Sequence, residues 1–216
     1  MDGATFVNEL KSECEKLLAK LNAEPDVGAV SLPSLAPLLK MALKNEMEAA
    51  EIAAQWVATT PELEAKLALA RHAGDEARHY QLLEEKVREL GVDLAGYDPL
   101  HPPSPVLEYL RTLQSTAERV AAALVAREAM GGRRNVQFIR LLEAAGQGEL
   151  ARLYREVINP DEDRHHRAGC AVLALVAISE KKQQLARRAA LRLLEIGDRA
   201  RDAAMAKSGA ACVPGC

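Results

Sequence analysis

The chain has 216 residues and a mass of 23.4 kDa, enough to bury one sizeable core without requiring a second. Its formal net charge is only −3, so no global basic field marks a binder of nucleic acid or of an anionic membrane surface. Charged residues (27%) interrupt every apolar run before it reaches the roughly 20 residues a membrane span needs, and plentiful Ala and Leu beside 3% aromatics favour helices. The expected class is all-α, one domain over residues 1–216, with no membrane partner.

Leu10, Leu17, Leu18 and Leu21 recur at helical spacing and predict an amphipathic helix over residues 4–22. Lys11, Glu13, Glu15 and Lys16 rule out a secretory signal core there, so a soluble cytoplasmic protein is the expectation. Pro and Gly break the chain between 25 and 37. A second helix should run from about Pro37 to Val57, with Leu39, Leu43, Glu46, Ala50, Ala53 and Val57 on one stripe. Thr60 as N-cap and Pro61 as first helical residue open a third helix that reaches Leu90. Its inward stripe is Leu69, His72 or Ala73, Glu76, His79, Leu83, Val87 and Leu90.

Gly91 ends that helix, and four prolines and two glycines between 91 and 105 predict an extended crossover. Ser104 and Pro105 should start a fourth helix running to Leu142, bent at Gly131-Gly132. After a turn at 144–148, a fifth carries Leu150, Tyr154, Val157, Ile158, Glu162, His165, Gly169 and Val172, with a kink expected at Pro160. A last helix, about 180–207, covers the bundle, whose main body spans about 37–178. The four cysteines are scattered. Cys212 and Cys216 fall in an exposed-looking tail that reads as a frayed end, with a redox pair as the less favoured alternative.

One five-residue word, Asp-Glu-x-Arg-His, occurs twice, at Asp75–His79 and at Asp161–His165. Within each copy a Glu and a His stand three residues apart, so both project from one helical face, one turn apart. The flanks repeat too. Glu46 and Glu128 lie upstream, each followed nine residues later by Gln and a bulky apolar pair, Gln55-Trp56-Val57 and Gln137-Phe138-Ile139.

Glu46, Glu76, Glu128 and Glu162 all fall on core positions of apolar stripes. An ionised, unpaired carboxylate there costs several kcal/mol. Antiparallel helices joined near residue 61 bring Glu46 level with Glu76, and a turn near 145 brings Glu128 level with Glu162. Four converging carboxylates would repel one another unless cations lay between them, and their oxygens with the nitrogens of His79 and His165 suit two transition-metal ions with open positions left over.

A Glu from each of two helices plus a Glu-x-x-His from each of two others is the pattern of ferritin-like di-iron and di-manganese carboxylate proteins. Over residues 37–178 the chain resembles that superfamily, and its repeated Asp-Glu-x-Arg-His resembles the oxidase and oxygenase branch, including multicomponent monooxygenases, tRNA hydroxylases and aldehyde-deformylating oxygenases. The resemblance implies a four-helix bundle holding two Fe ions, or Mn or a mixed pair. Glu76 and Glu162 would bridge, with Glu46, Glu128, His79 and His165 as terminal ligands. It implies an enzyme that uses O2 to oxidise or hydroxylate an organic substrate, with electrons from a separate protein, since no Cys-x-x-Cys knuckles are present. A homodimer is compatible with it. Gly131 stands where rubrerythrins carry a further Glu, and storage ferritins usually lack the second Glu-x-x-His.

Other readings stand beside these. A ferroxidase would turn over ferrous ion itself, and a non-enzymatic helical protein would use the metals as a staple. Glu48 and Glu51 compete with Glu46 as the ligand of the second helix. Asp75 with Arg78, and Asp161 with Arg164, are either surface pairs or residues that orient ligands, the latter favoured by their recurrence. His72 and His166 read as packing or surface residues and Trp56 as core. Leu83, Ala121 and Gly132 are candidate pocket walls. Arg133, Arg134 and Arg140 are a weak basic patch for a tRNA substrate.

Overall fold

The computed structural model describes residues 1–21, 32–209 and 212–215. All regular structure among them is helical. The helices are α1 (Gly3–Leu21), α2 (Leu32–Thr59), α3 (Leu63–Glu89), α4 (Pro105–Arg111), α5 (Thr116–Arg119), α6 (Glu128–Ala144), α7 (Gly148–Leu153), α8 (Asn159–Val176) and α9 (Glu180–Ser208). Two wider π-helical stretches, Val120–Arg127 and Tyr154–Ile158, join α5 to α6 and α7 to α8 without a break. None of the described helices is long and apolar enough to cross a membrane.

The body is a helical bundle built from α2, α3, the continuous α5–α6 rod and the continuous α7–α8 rod. α2 pairs closely with α3, and α8 lies against both α3 and the α5–α6 rod. α1 and α9 cover one side, packed on α8 and on the π-helical stretch of the α5–α6 rod. The approach of α8 to that stretch is close enough to need a glycine: a Cβ on Gly169 would lie 2.4 Å from Leu124 Cβ and 2.8 Å from its carbonyl oxygen.

Two apolar cores fill the bundle at different levels. One gathers Phe6, Leu10, Ile52, Trp56, Leu69, Leu124, Leu173 and Leu193. The other gathers Leu39, Leu43, Leu83, Val87, Phe138, Leu142, Tyr154 and Ile158. Along α2, α3, α6 and α8 the chain passes from one core to the other, and the buried Glu and His residues occupy the level between them. The bulk of each rod is thus anchored by hydrophobic burial on both sides of its polar residues, which holds those residues in place although they stabilise nothing by themselves.

Several helix limits differ from those expected. α2 starts at Leu32, with Pro37 inside it. Complete burial of Leu35, Leu38 and Leu39 outweighs the one backbone hydrogen bond Pro37 forgoes. The preceding break falls largely on residues 22–31, outside the described residues. Thr60 does not cap α3. Glu62 is the N-cap, while α5 engages the corner through Thr116 Oγ1 on Glu62 (2.6 Å) and Arg119 Nη1 on Thr59 Oγ1 (2.9 Å). Ser104 and Pro105 open only the short α4, and the long rod begins at Ser115, whose side chain forms a reciprocal capping box with Glu118. The helix runs through Gly131-Gly132, its irregularity lying upstream in the π-helical stretch. Pro160 is met by the π-helical turn that ends just before Asn159.

The tail is not frayed at its described part. Cys212, Val213, Pro214 and Gly215 are buried, burial pushes the Cys212 thiol up to about 11, and Cys216 lies outside the described residues. Gly215 N donates to Asn135 Oδ1 (2.8 Å) and Asn45 Nδ2 donates to Gly215 O (3.1 Å), pinning the segment between α2 and α6.

Candidate metal centre

The level between the two cores holds seven side chains, all buried: Glu46 from α2; His72, Glu76 and His79 from α3; Glu128 from α6; Glu162 and His165 from α8. Their donor atoms fall into two groups that could each hold an ion. Glu46, Glu76, His79 and Glu162 form one, and His72, Glu76, Glu128 and His165 the other. Glu76 belongs to both. Within each group one donor atom per residue lies within 4.8 Å of every other.

The six residues singled out in the sequence therefore converge on one place, and Glu46 rather than Glu48 or Glu51 faces it. Glu48 turns instead to the backbone N–H and hydroxyl of Ser104 and to Lys44 Nζ (2.9 Å), while Glu51 accepts from Gln55 Nε2. The seventh residue, His72, was expected among packing residues. It stands four positions before Glu76, so the same helical face carries it inward. His166 does pack, with Nδ1 3.0 Å from Val125 O. Trp56 lies in the core under the Arg119 guanidinium.

The repeated word explains itself in an exchange between its two copies. His79 Nε2 lies 3.0 Å from Asp161 Oδ2, and His165 Nε2 lies 3.0 Å from Asp75 Oδ2. Each Asp holds the imidazole of the other copy. Arg164 bridges the two acids, donating to Asp161 Oδ1 and to Asp75 Oδ2 (3.0 Å), and Arg78 reaches Asp161 at 3.9 Å. The pair expected between Asp161 and Arg164 is present; Arg78 crosses to the second copy instead of serving Asp75.

This exchange fixes the chemistry of the rings. With the ring neutral, a proton on Nε2 is donated to the Asp and Nδ1 keeps its lone pair facing inward. His79 Nδ1 is 3.3 Å from Glu46 Oε2 and 3.7 Å from Glu76 Oε2, and His165 Nδ1 is 3.1 Å from Glu76 Oε1 and 3.4 Å from Glu128 Oε2. These are close approaches without hydrogen-bond geometry: both Nδ1 atoms and both oxygens of Glu46, Glu128 and Glu162 are buried with no hydrogen-bond partner. His72 differs, with neither ring nitrogen hydrogen-bonded and Nε2 3.3 Å from Glu76 and 3.2 Å from Glu128.

Proton affinities at this level are far from ordinary. Burial, followed by the charge of Glu76, pushes Glu46 up to about 8, and burial with the charge of Glu128 pushes Glu162 well above the carboxylate range. Burial alone would lower His79 and His165, but the adjoining carboxylates outweigh it and push them up to about 11 and about 10. Burial would likewise raise Glu128, yet His72 and His165 hold it down to about 2. The cluster retains protons where it lacks other positive charge. That is the electrostatic signature of a site that accepts cations.

A di-metal centre fits these residues on two grounds. The orphaned oxygens and nitrogens converge, and the donors are carboxylate and imidazole without thiolate, a set that suits first-row transition ions without choosing among them. Searches for a matching protein-family model and for a similar curated protein both return no match.

A cleft of about 300 Å³ opens beside the centre, lined by Glu128, Ala129, Gly132, Arg133, Asn159, Glu162, Asp163 and His166. Both π-helical stretches end at its edge, one at Glu128 and the other at Asn159. Of the expected pocket walls only Gly132 is among these; Leu83 and Ala121 are packed into the apolar cores. Asn159 Oδ1 is buried there without a partner.

Proposed function

We propose that the chain is a ferritin-like non-haem di-iron oxidoreductase that uses O2 to oxidise or hydroxylate an organic substrate. The observation that carries this reading is the pair of buried donor sets sharing Glu76, with the imidazoles of His79 and His165 each fixed by the aspartate of the other repeat. When bound, two redox-active ions would supply one-electron steps in pairs and open positions for dioxygen.

The residues define the remaining requirements. Glu76, which belongs to both donor groups, would span the two ions, whereas Glu162, expected to bridge as well, belongs to one group only. Glu46, His79 and Glu162 would complete one position; His72, Glu128 and His165 the other. Asp75 and Asp161 would hold the rings of His165 and His79 by Nε2, so that with metal bound Nδ1 is the ligating nitrogen. The cleft between α6 and α8 gives an approach on the Glu128–Glu162 side, where Asn159 Oδ1 can accept a hydrogen bond from a substrate O–H or N–H. The apolar cores above and below limit water. Hydroxylation inserts one oxygen atom of O2 and reduces the other to water, which consumes two further electrons. A separate electron-donor protein would deliver these.

Anaerobic loading with ferrous ion, followed by O2 and read by metal analysis, oxygen uptake and Mössbauer spectroscopy, tests the reading. Two ions per chain in a coupled pair that consumes O2 is the expected result. Two ions without O2 uptake would replace it with a structural staple, and one ion or none would remove it.

A further inference from the structure

A second cavity, about 310 Å³, lies outside the bundle between α2, α6, α9 and the crossover, and none of the seven acid and histidine residues lines it. Arg134, assigned from sequence to a basic surface, is here instead. Arg133 and Arg140 are exposed, but Arg134 is only 8% exposed and faces this cavity.

One guanidinium on the wall is left with an open N–H. Among the described lining residues Glu48 is the carboxylate, and it is engaged by Lys44 and Ser104. Arg201 is held by Asp198 (2.8 Å) and Asp202 (2.8 Å). Arg134 makes no ion pair among the described residues. Its Nη2 donates to Gly197 O (2.9 Å), and its Nε–H is buried with no partner. Burial, followed by the charge of Arg201, lowers its pKa to about 10 although Asp198 and Asp202 lie close enough to act the other way, and it stays charged at neutral pH. A desolvated guanidinium with no direct ion pair and an open N–H is a costly arrangement that an anion relieves.

The rest of the wall is apolar. Met41, Val106, Met130, Ala204 and Val213 line it together with three prolines of the crossover. Methionine side chains adapt to irregular ligands, and the volume is at the small end of the roughly 300–1,000 Å³ found for small-molecule sites.

We propose that this cavity binds a small amphipathic organic acid, with its carboxylate on Arg134 and its apolar body against Met41, Met130 and Val213. The one open N–H of Arg134 calls for a single carboxylate. The apolar wall calls for a chain or ring behind it. The site is independent of the metal reading, although Arg127, which also lines it, donates to Asn45 O (2.9 Å) and ties α2 to α6 one residue before Glu46 and Glu128.

Octanoate, octanol and octylamine are the probes, titrated calorimetrically into the full chain with and without added ferrous ion. Octanoate binds saturably in both states, octanol binds about 10–100-fold more weakly, as loss of a charge-assisted hydrogen bond implies, and octylamine does not bind. Arg134→Gln weakens octanoate by a similar factor and leaves octanol unchanged. Ala200→Trp, which fills the cavity from α9 and keeps every charge, abolishes octanoate binding. It decides the matter should Arg134→Gln fail to fold. Equal affinity for octanoate and octanol, no saturable octanoate binding, or octanoate binding unaffected by Ala200→Trp would overturn the proposal. Octanoate binding that requires ferrous ion and ignores Arg134→Gln would place the carboxylate on the metal, which also overturns it.

Discussion

The two donor groups share Glu76 and derive from a repeated word, yet they are not equivalent. One offers three carboxylates and a single imidazole, the other two carboxylates and two imidazoles. The difference comes from two residues: Glu162 falls in the first group alone, and His72 in the second alone. His72 stands four residues before Glu76, whereas the same place before Glu162 holds Ile158, which is buried in the apolar core. The histidines differ again in support: His79 and His165 are each held by an aspartate, but His72 has no hydrogen-bond partner on either ring nitrogen. Repetition thus supplies a symmetric frame, and the one-sided places of His72 and Glu162 make its two positions chemically distinct.

The largest break in that comparison comes at the shared residue. Glu76→Gln should lower metal content from two ions per chain toward none, measured by elemental analysis after anaerobic loading, because both positions lose a donor. His79→Ala should empty one position and leave the His72–His165 position filled. A chain that lost both ions equally would show that the positions are not separable.

The exchange between repeats sharpens the comparison further. Asp161→Asn should weaken the ion beside His79, and Asp75→Asn the ion beside His165, each by about 10–100-fold, the usual cost of losing the partner that orients a metal-bound histidine. Competition with a chelator reads both affinities. A substitution in the second repeat that weakened the ion beside its own histidine would refute the crossed arrangement. His72→Ile, which copies the second repeat, should have the smallest effect of the five. It should weaken only its own position, and by less than His79→Ala weakens the other, because no aspartate pre-orients His72.

Much of this centre was legible because its information is local. A Glu and a His three residues apart need only a helix to share a face, and turns near 61 and 145 set the levels at which the four glutamates meet. His72 escaped because it has no counterpart in the second repeat, although its position four residues before Glu76 was the available signal. The start of the long rod was also written in the sequence: Ser115 and Glu118 have capping-box spacing, and Ser104-Pro105 drew the boundary away from them. Other features were not local. Thr59 and Glu62 are taken up by α5, the tail is held by Asn45 and Asn135, and Arg134 turns under α9, contacts between residues 54 to 170 positions apart. The π-helical stretches keep helical composition and leave no mark in the apolar pattern.

Anomalous diffraction at the iron edge from crystals of the anaerobically loaded chain tests the central claim most directly. Two peaks are expected, one on each side of Glu76: the first within bonding distance of His79 Nδ1, the second within bonding distance of His165 Nδ1 and His72. A single peak, or iron elsewhere with these seven side chains unligated, would contradict the account.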